Sequence, residues 1–166
     1  MDQPDGRDDF NFFFGHWTVR HRKLRERLTG CATWDSFAGS CDAQPLLGGL
    51  GNIDDNFIEV PAPLGGAYRA ATLRAFEASR REWRIWWLDG RAPTSIGAPM
   101  QGRFEGAGAS RLGVFYADED FNGRPIRVRF LWLHTLSRKP RWEQAFSSDG
   151  GRIWETNWEM DFTRVA

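Results

Sequence analysis

The 166-residue chain is predicted to be all-β, folding as an antiparallel barrel or sandwich. Three observations carry that expectation. The first is strict alternation near the C-terminus. Trp142, Gln144 and Phe146 interleave with Arg141, Glu143 and Ala145, and beyond Gly150 Trp154, Thr156, Trp158, Met160 and Phe162 interleave with Glu155, Asn157, Glu159 and Asp161. A period of two marks a sheet with one apolar and one wet face. The second is the recurrence of about ten short extended segments between Gly- or Pro-bearing turns. The third is the near absence of helical periodicity, of repeats and of any linker, which implies a single domain over 1–166 with residues 1–8 as a flexible tail.

Composition narrows the function classes. Lys and Arg number 22, as do Asp and Glu. No strong field therefore steers the chain toward nucleic acid or an anionic membrane. Lys23 and Lys139 are the only lysines in an Arg-dominated basic set. Nine Trp and 13 Phe supply large rings, which suit either the filled core of an all-β domain or the wall of an apolar cavity. The acidic start, Met1 to Asp9, lacks the basic-then-apolar layout of a signal peptide, and no apolar run approaches the ~20 residues of a membrane span. Cys31 and Cys41 on one extended strand would lie ~33 Å apart, far beyond the ~7 Å that a disulfide permits. Reduced thiols and a cytoplasmic location are expected.

Taken in order, Asp8–Phe14 reads as a Phe-rich helical lead-in with Asp8 or Asp9 as N-cap. A strand follows from His16, with Trp17, Val19 and His21 on one face and Thr18, Arg20 and Arg22 on the other. Arg22–Leu28 also fits a helical turn, but Thr29-Gly30 reads as a hairpin turn into Cys31–Ser40 and favours strand. Further strands are predicted over 52–60, 67–76, 82–89, 99–104, 112–117, 124–136, 141–147 and 154–164. The residues from Arg91 to Gly102 form a long loop suited to a lid.

Asn122-Gly123 is the strongest turn signal, because a type I′ turn needs positive φ at both central positions. Pairing across it sets Asp118 opposite Arg127, Tyr116 opposite Arg129 and Phe115 opposite Phe130. Pairing across Gly150 sets Phe146 opposite Trp154, Trp142 opposite Trp158 and Arg141 opposite Glu159. The connection Ser137–Pro140 then decides a parity. One register carries Arg129 and Tyr116 onto the inner face with Trp142, Trp154 and Trp158; the other leaves Arg129 in solvent.

Phe14-Gly15-His16-Trp17 contains a Gly-x-Trp at the opening of the first strand, and this resembles the signature of lipocalins and other calycin barrels, in which the Trp closes one end. The whole-chain layout, with Trp83 to Asp89 and Phe146 to Gly151, is similar to a family of uncharacterised bacterial lipocalin-like proteins. The resemblance covers most of the chain and implies an up-and-down barrel rather than an activity. Nitrobindin-like haem barrels also begin with Gly-x-Trp, but extend it with a further Gly-x-Gly and use a His near the C-terminus. Here Thr18-Val19-Arg20 follows Trp17 and no His follows His134, so neither haem nor another cofactor is expected. Ser147-x-Asp149-x-Gly151-x-x-Trp154 fits the Asp-box hairpin pattern known from sialidase propellers, read as turn chemistry only.

Three functions compete. The first is a barrel that binds a small apolar or aromatic ligand, with Arg129 holding a carboxylate, Tyr116 and Gln144 orienting it, and Trp17, Trp142 and Trp158 walling the cavity. The second is an enzyme, a hydrolase or isomerase, with His134 and Glu143 as acid–base partners. The third is a filled barrel serving interaction or oligomerisation. His16 and His21 have opposite parity and cannot share a metal, so no metal is expected. Asp54 and Asp55 read as a solvated rim at the barrel mouth. Both faces of Ile85–Leu88 and of Phe130–Leu133 are apolar, which predicts a homodimer.

Overall fold

Each strand pairs antiparallel with its neighbours in sequence, and the last returns to the first. In the computed structural model, which describes residues 5–166, the strands are β1 (Gly15–Leu24), β2 (Trp34–Leu46), β3 (Gly51–Ile58), β4 (Tyr68–Glu77), β5 (Glu82–Asp89), β6 (Met100–Glu105), β7 (Leu112–Phe121), β8 (Arg124–Leu133), β9 (Arg141–Ser147) and β10 (Glu155–Arg164). Pairing of β1 with both β2 and β10 closes the sheet into a ten-stranded up-and-down barrel. The predicted segments 82–89 and 141–147 coincide with β5 and β9. Of the stretch predicted as strand from Cys31, only Trp34 onward is paired, and β2 runs on to Leu46. Cys31 and Cys41 are both free thiols, Cys41 buried.

The Asn122-Gly123 turn has φ of 53° and 77°, as a type I′ turn requires. Its pairs are the expected Asp118–Arg127, Tyr116–Arg129 and Phe115–Phe130. The Gly150 hairpin differs from expectation. Trp142 faces Met160, Gln144 faces Trp158, Phe146 faces Glu155 and Arg141 faces Asp161, with an extra residue between Thr156 and Trp158. This bulge switches faces within one strand. Trp158, Met160 and Phe162 therefore point inward, while Thr156 pairs with outward Ala145 and Trp154 lies outside the barrel. The turn itself is side-chain built: the Asp149 carboxylate accepts from the amides of Arg152 and Ile153 at 3.0 Å, and Ser147 Oγ accepts from Gly151 N at 2.9 Å.

One barrel end is filled by the lead-in. It forms a 3-10 turn, Asn11–Phe13, with Phe10 and Phe13 fully buried. Neither Asp caps that turn; Asp9 instead pairs with Arg111, because the lead-in enters the barrel rather than lying along it. The tail expected over 1–8 falls partly outside the described residues, and from Gly6 the chain is engaged, its carbonyl accepting from Trp83 Nε1 at 3.0 Å. Trp17 is 2% exposed, stacks on Phe13 at 5.7 Å and donates its indole N–H to the Phe13 carbonyl at 2.8 Å. The Arg164 guanidinium lies 4.1 Å from the centre of the Trp17 ring and donates to the carbonyls of Phe12 and Phe14 at 2.7 and 2.6 Å. Gly15 explains the Gly-x-Trp spacing: its φ is +121°, and a Cβ there would meet Arg164 Nη1 at 2.6 Å.

Trp17→Ala is expected to lower unfolding free energy by about 3–5 kcal/mol, as for a buried aromatic in a rigid site, measured by urea denaturation. Stability equal to that of the unaltered protein would show that the plug does not bear on Trp17.

Candidate functional site

The opposite end is open, and the alternation of β1 continues into it. Trp17, Val19 and His21 are buried, and Lys23 follows on the same face. Together with the β1–β2 connection, β2, β4 and the turns after β5 and β7, Lys23 lines a mouth of about 610 Å³. Its walls include Phe37, Val60, Tyr68 and Phe121 beside Arg27 and Arg91. The cations rest on aromatic faces: Lys23 Nζ is 4.3 Å from the centre of the Trp158 ring, Arg27 is 5.3 Å from Phe146, and Arg91 is 3.7 Å from Tyr68. Arg91 is held by Asp89 in a two-pronged contact at 3.0 and 2.7 Å. Among the described residues, Lys23 and Arg27 make no ion pair with any carboxylate. Of the carboxylates near this wall, Asp35 is paired with Arg25, and Glu155 spends one oxygen on the Leu28 amide at 2.8 Å. Burial, reinforced by Arg27 and Arg91, pushes the Lys23 amine down to about 8.

Beneath the mouth lies an aromatic partition. Trp158 meets Trp142 edge-on at 5.5 Å and Trp87 at 5.8 Å. The Trp158 indole donates to His21 Nδ1 at 3.2 Å, which places the His21 proton on Nε2 in the neutral ring. His21 is 1% exposed and stacks on Phe37 at 5.1 Å. The ring fits because residue 39 is glycine: a Cβ there would approach His21 Nε2 to 2.7 Å. Burial, with Lys23 adding repulsion, pushes His21 down to about 4. Below the partition the barrel is nearly filled, leaving a cavity of about 30 Å³ between the rings and a polar wall.

That wall comes from β3 and β4. Arg74 Nη1 contacts Asp54 Oδ2 at 2.7 Å and donates to Asn52 Oδ1 at 2.9 Å, and Asn56 Nδ2 donates to Asp54. The guanidinium faces the rings of Phe10 and Phe13 at 4.9 and 5.4 Å, so the network ties the plug to the barrel wall. Asp54 is thus not at the rim: it points inward and is paired, while Asp55 points out to Arg69 at 2.9 Å. Arg74 Nε and Asn52 Nδ2 are buried without a partner.

The expected site residues disperse. Phe130 pairs with Gln144 and Arg129 with Ala145, so parity puts Arg129 and Tyr116 on the outer wall. There Arg129 lies 4.5 Å from the Trp154 ring, Arg127 4.6 Å from Tyr116, and the two rings meet at 5.9 Å. Of the two registers that the β8–β9 connection could take, the observed one pairs Leu131 with Glu143 and so leaves Arg129 outside. Trp142, Trp158 and Gln144 share the inner face, with Gln144 Nε2 donating to Asn157 Oδ1 at 2.8 Å. Trp17 belongs to the closed end. His134 and Glu143 are not brought together: His134 is exposed beyond β8, and Glu143 accepts from Arg141 Nε at 2.8 Å on the outer wall. His16, also exposed, pairs with Asp42.

Sequence reasoning missed Lys23, although its parity with Trp17, Val19 and His21 was available. It also missed the polar ladder Asn52, Asp54, Asn56, whose spacing of two matches Thr72 and Arg74 on the next strand. The loop after β5 begins at the mouth, where Arg91 lines the wall. Because β5 and β6 pair only from Trp83 to Ile85, its residues Ser95, Gly97 and Ala98 lie beside Trp87 and Phe130.

Fold and site together define a closed ten-stranded up-and-down antiparallel barrel, consistent with the calycin and lipocalin-like superfamily. The chain matches no family model and no curated protein with which it was compared.

The depressed His21 value sets a pH dependence. Its stabilisation is fully present above the ordinary histidine value of 6.5 and is lost as pH falls from there through about 4. Thermal or urea unfolding is expected to lose about 3 kcal/mol from this group across that interval, and His21→Gln to flatten the slope between pH 5 and 6.5. Asp54→Ala, which strands Arg74, is expected to cost about 3–5 kcal/mol, and the double variant with Arg74→Met to recover part of it. An additive double variant in the same denaturation assay would show that the pair is uncoupled.

Proposed function

We propose that the protein is a cytoplasmic, non-enzymatic binding protein of the bacterial lipocalin-like kind, taking a small apolar or aromatic carboxylate at the barrel mouth. The observation that carries this reading is the pair of half-buried cations without carboxylate partners at the mouth, Lys23 above the Trp158 ring and Arg27 above Phe146. Withdrawing cations from water is costly unless an anion answers them, and an acid group between them supplies that anion. The apolar remainder of the ligand rests on Phe37, Val60 and Phe121, sharing the mouth with the Tyr68 ring. The carboxylate anchor is thus Lys23 with Arg27, not Arg129.

Titration with decanoate or an aromatic carboxylate is expected to change Trp emission saturably. Lys23→Met and Arg27→Met are each expected to weaken binding by about tenfold, the value of a charge-assisted hydrogen bond, and Arg129→Met to leave it unaltered. The absence of a saturable change, or equal binding by the Lys23 and Arg27 variants, overturns the reading.

We further propose that two copies pair through the outer face of β3–β5. Trp86 sits opposite Leu73 and Leu88 opposite Ala71, with Ile53 alongside. This apolar strip on the wet side of a barrel wall supports an interface. Sedimentation at micromolar concentration is expected to show a dimer that Trp86→Glu dissociates; a monomer rules it out.

A further inference from the structure

The mouth holds one side chain able to form a covalent bond with a ligand carbonyl. Among its basic groups only Lys23 is an amine, since the chain has just one other lysine, Lys139, and every remaining basic side chain is a guanidinium, which stays protonated at ordinary pH, or an imidazole. Lys23 ends on the inner face of β1 with Nζ against the Trp158 ring, inside a space of about 610 Å³. The titratable groups gathered around it are Arg27, Arg91, Tyr68, Asp89, Glu155 and His21, with Arg25, Glu26 and Asp35 further along the same wall. Of the carboxylates, Asp89 is committed to Arg91, Asp35 to Arg25 and Glu155 to the Leu28 amide, and Glu26 accepts from the Thr29 hydroxyl. No acid therefore neutralises the ammonium, and two permanent cations disfavour it.

We propose that Lys23 is a covalent capture site, its amine condensing with the aldehyde or ketone group of an amphiphilic ligand held in the mouth. The nitrogen bonds to the carbonyl carbon, the carbon–oxygen bond breaks, and the oxygen leaves as water with the two hydrogens that the neutral amine gives up. The product is an imine, and nothing is oxidised or reduced. Arg27 and Arg91 penalise a third positive charge and so keep a fraction of the amine neutral near pH 7, which the lowered Lys23 value supports. The ring face of Trp158 and the apolar walls hold the carbonyl chain against the nitrogen. This inference rests on the binding reading above and narrows its ligand to a carbonyl compound.

The test treats the full chain with nonanal and sodium cyanoborohydride at pH 7 and maps the reduced adduct by peptide mass. Lys139, exposed in the β8–β9 connection, is the internal reference. Labelling of Lys23 is expected to exceed that of Lys139 by about tenfold or more, in line with its larger neutral fraction, and excess decanoate is expected to suppress labelling at Lys23 alone. Lys23→Arg removes the primary amine, so it is expected to abolish the adduct at this position and to leave labelling of Lys139 unaltered. Equal labelling of the two lysines overturns the capture site, even if decanoate binds. Selective labelling of Lys23 that decanoate does not suppress, with no decanoate binding, supports the capture site and overturns the carboxylate reading. The comparison between two lysines of one protein does not depend on any variant folding.

Discussion

Pairing of β1 with β10 closes the sheet, and closure commits every strand residue to one of two sides. With no free edge, a strand can change sides only where an extra residue breaks the alternation. The bulge at Asn157 is such a place, and it separates Trp154 from Trp158. Its consequences run through the molecule. Trp158 becomes the floor of the mouth and the donor to His21, while Trp154 becomes the outer lid over Tyr116 and Arg129. The same commitment turns Lys23 inward and places Arg74 against Asp54.

The barrel solves its two ends differently, and the difference assigns their roles. At the closed end, Phe10, Phe13 and Trp17 fill the opening, and their backbone is satisfied by Arg164 and by the indoles of Trp17 and Trp83. These donors each meet a carbonyl, and the aromatic rings pack against one another as a piece of core. At the open end the rings form a floor rather than a plug, and among the charges there Lys23 and Arg27 lack counter-charges while Arg91 is paired with Asp89. The polar wall of Asn52, Asp54, Asn56 and Arg74 sits between, mostly satisfied within itself. It fixes the plug through cation–ring contact and leaves little room for a ligand below Trp158. Binding is therefore a property of the mouth, and the interior serves to hold the mouth's floor in place.

Much of the fold was legible from particular residues. Alternation gave strands such as 82–89 and 141–147 with their observed bounds, and Asn122-Gly123 gave a hairpin with its register. Both are local properties: side-chain period and turn geometry are decided within a few residues. The Gly-x-Trp spacing pointed to a buried Trp17 at a barrel end, and Gly15 is required there by a positive φ and by Arg164. The candidate site was less legible. Trp142, Trp158 and Gln144 were assigned to the inner face, yet Arg129, Tyr116, His134 and Glu143 do not converge there.

By itself, the sequence determined an all-β chain of about ten antiparallel strands, the sides of residues within the unbulged strands, and a Trp-sealed opening, because these follow from local alternation and turn chemistry. Only the tertiary structure decided which side of each hairpin is the inside, since that depends on offsets across connections such as Ser137–Pro140 and on the bulge at Asn157. A shift of one residue exchanges the two faces at no cost to local propensity. The choice is made by packing around the closed barrel, which seats Phe130 and Trp132 against Trp142 and the plug and so sends Arg129 out and brings Lys23 in.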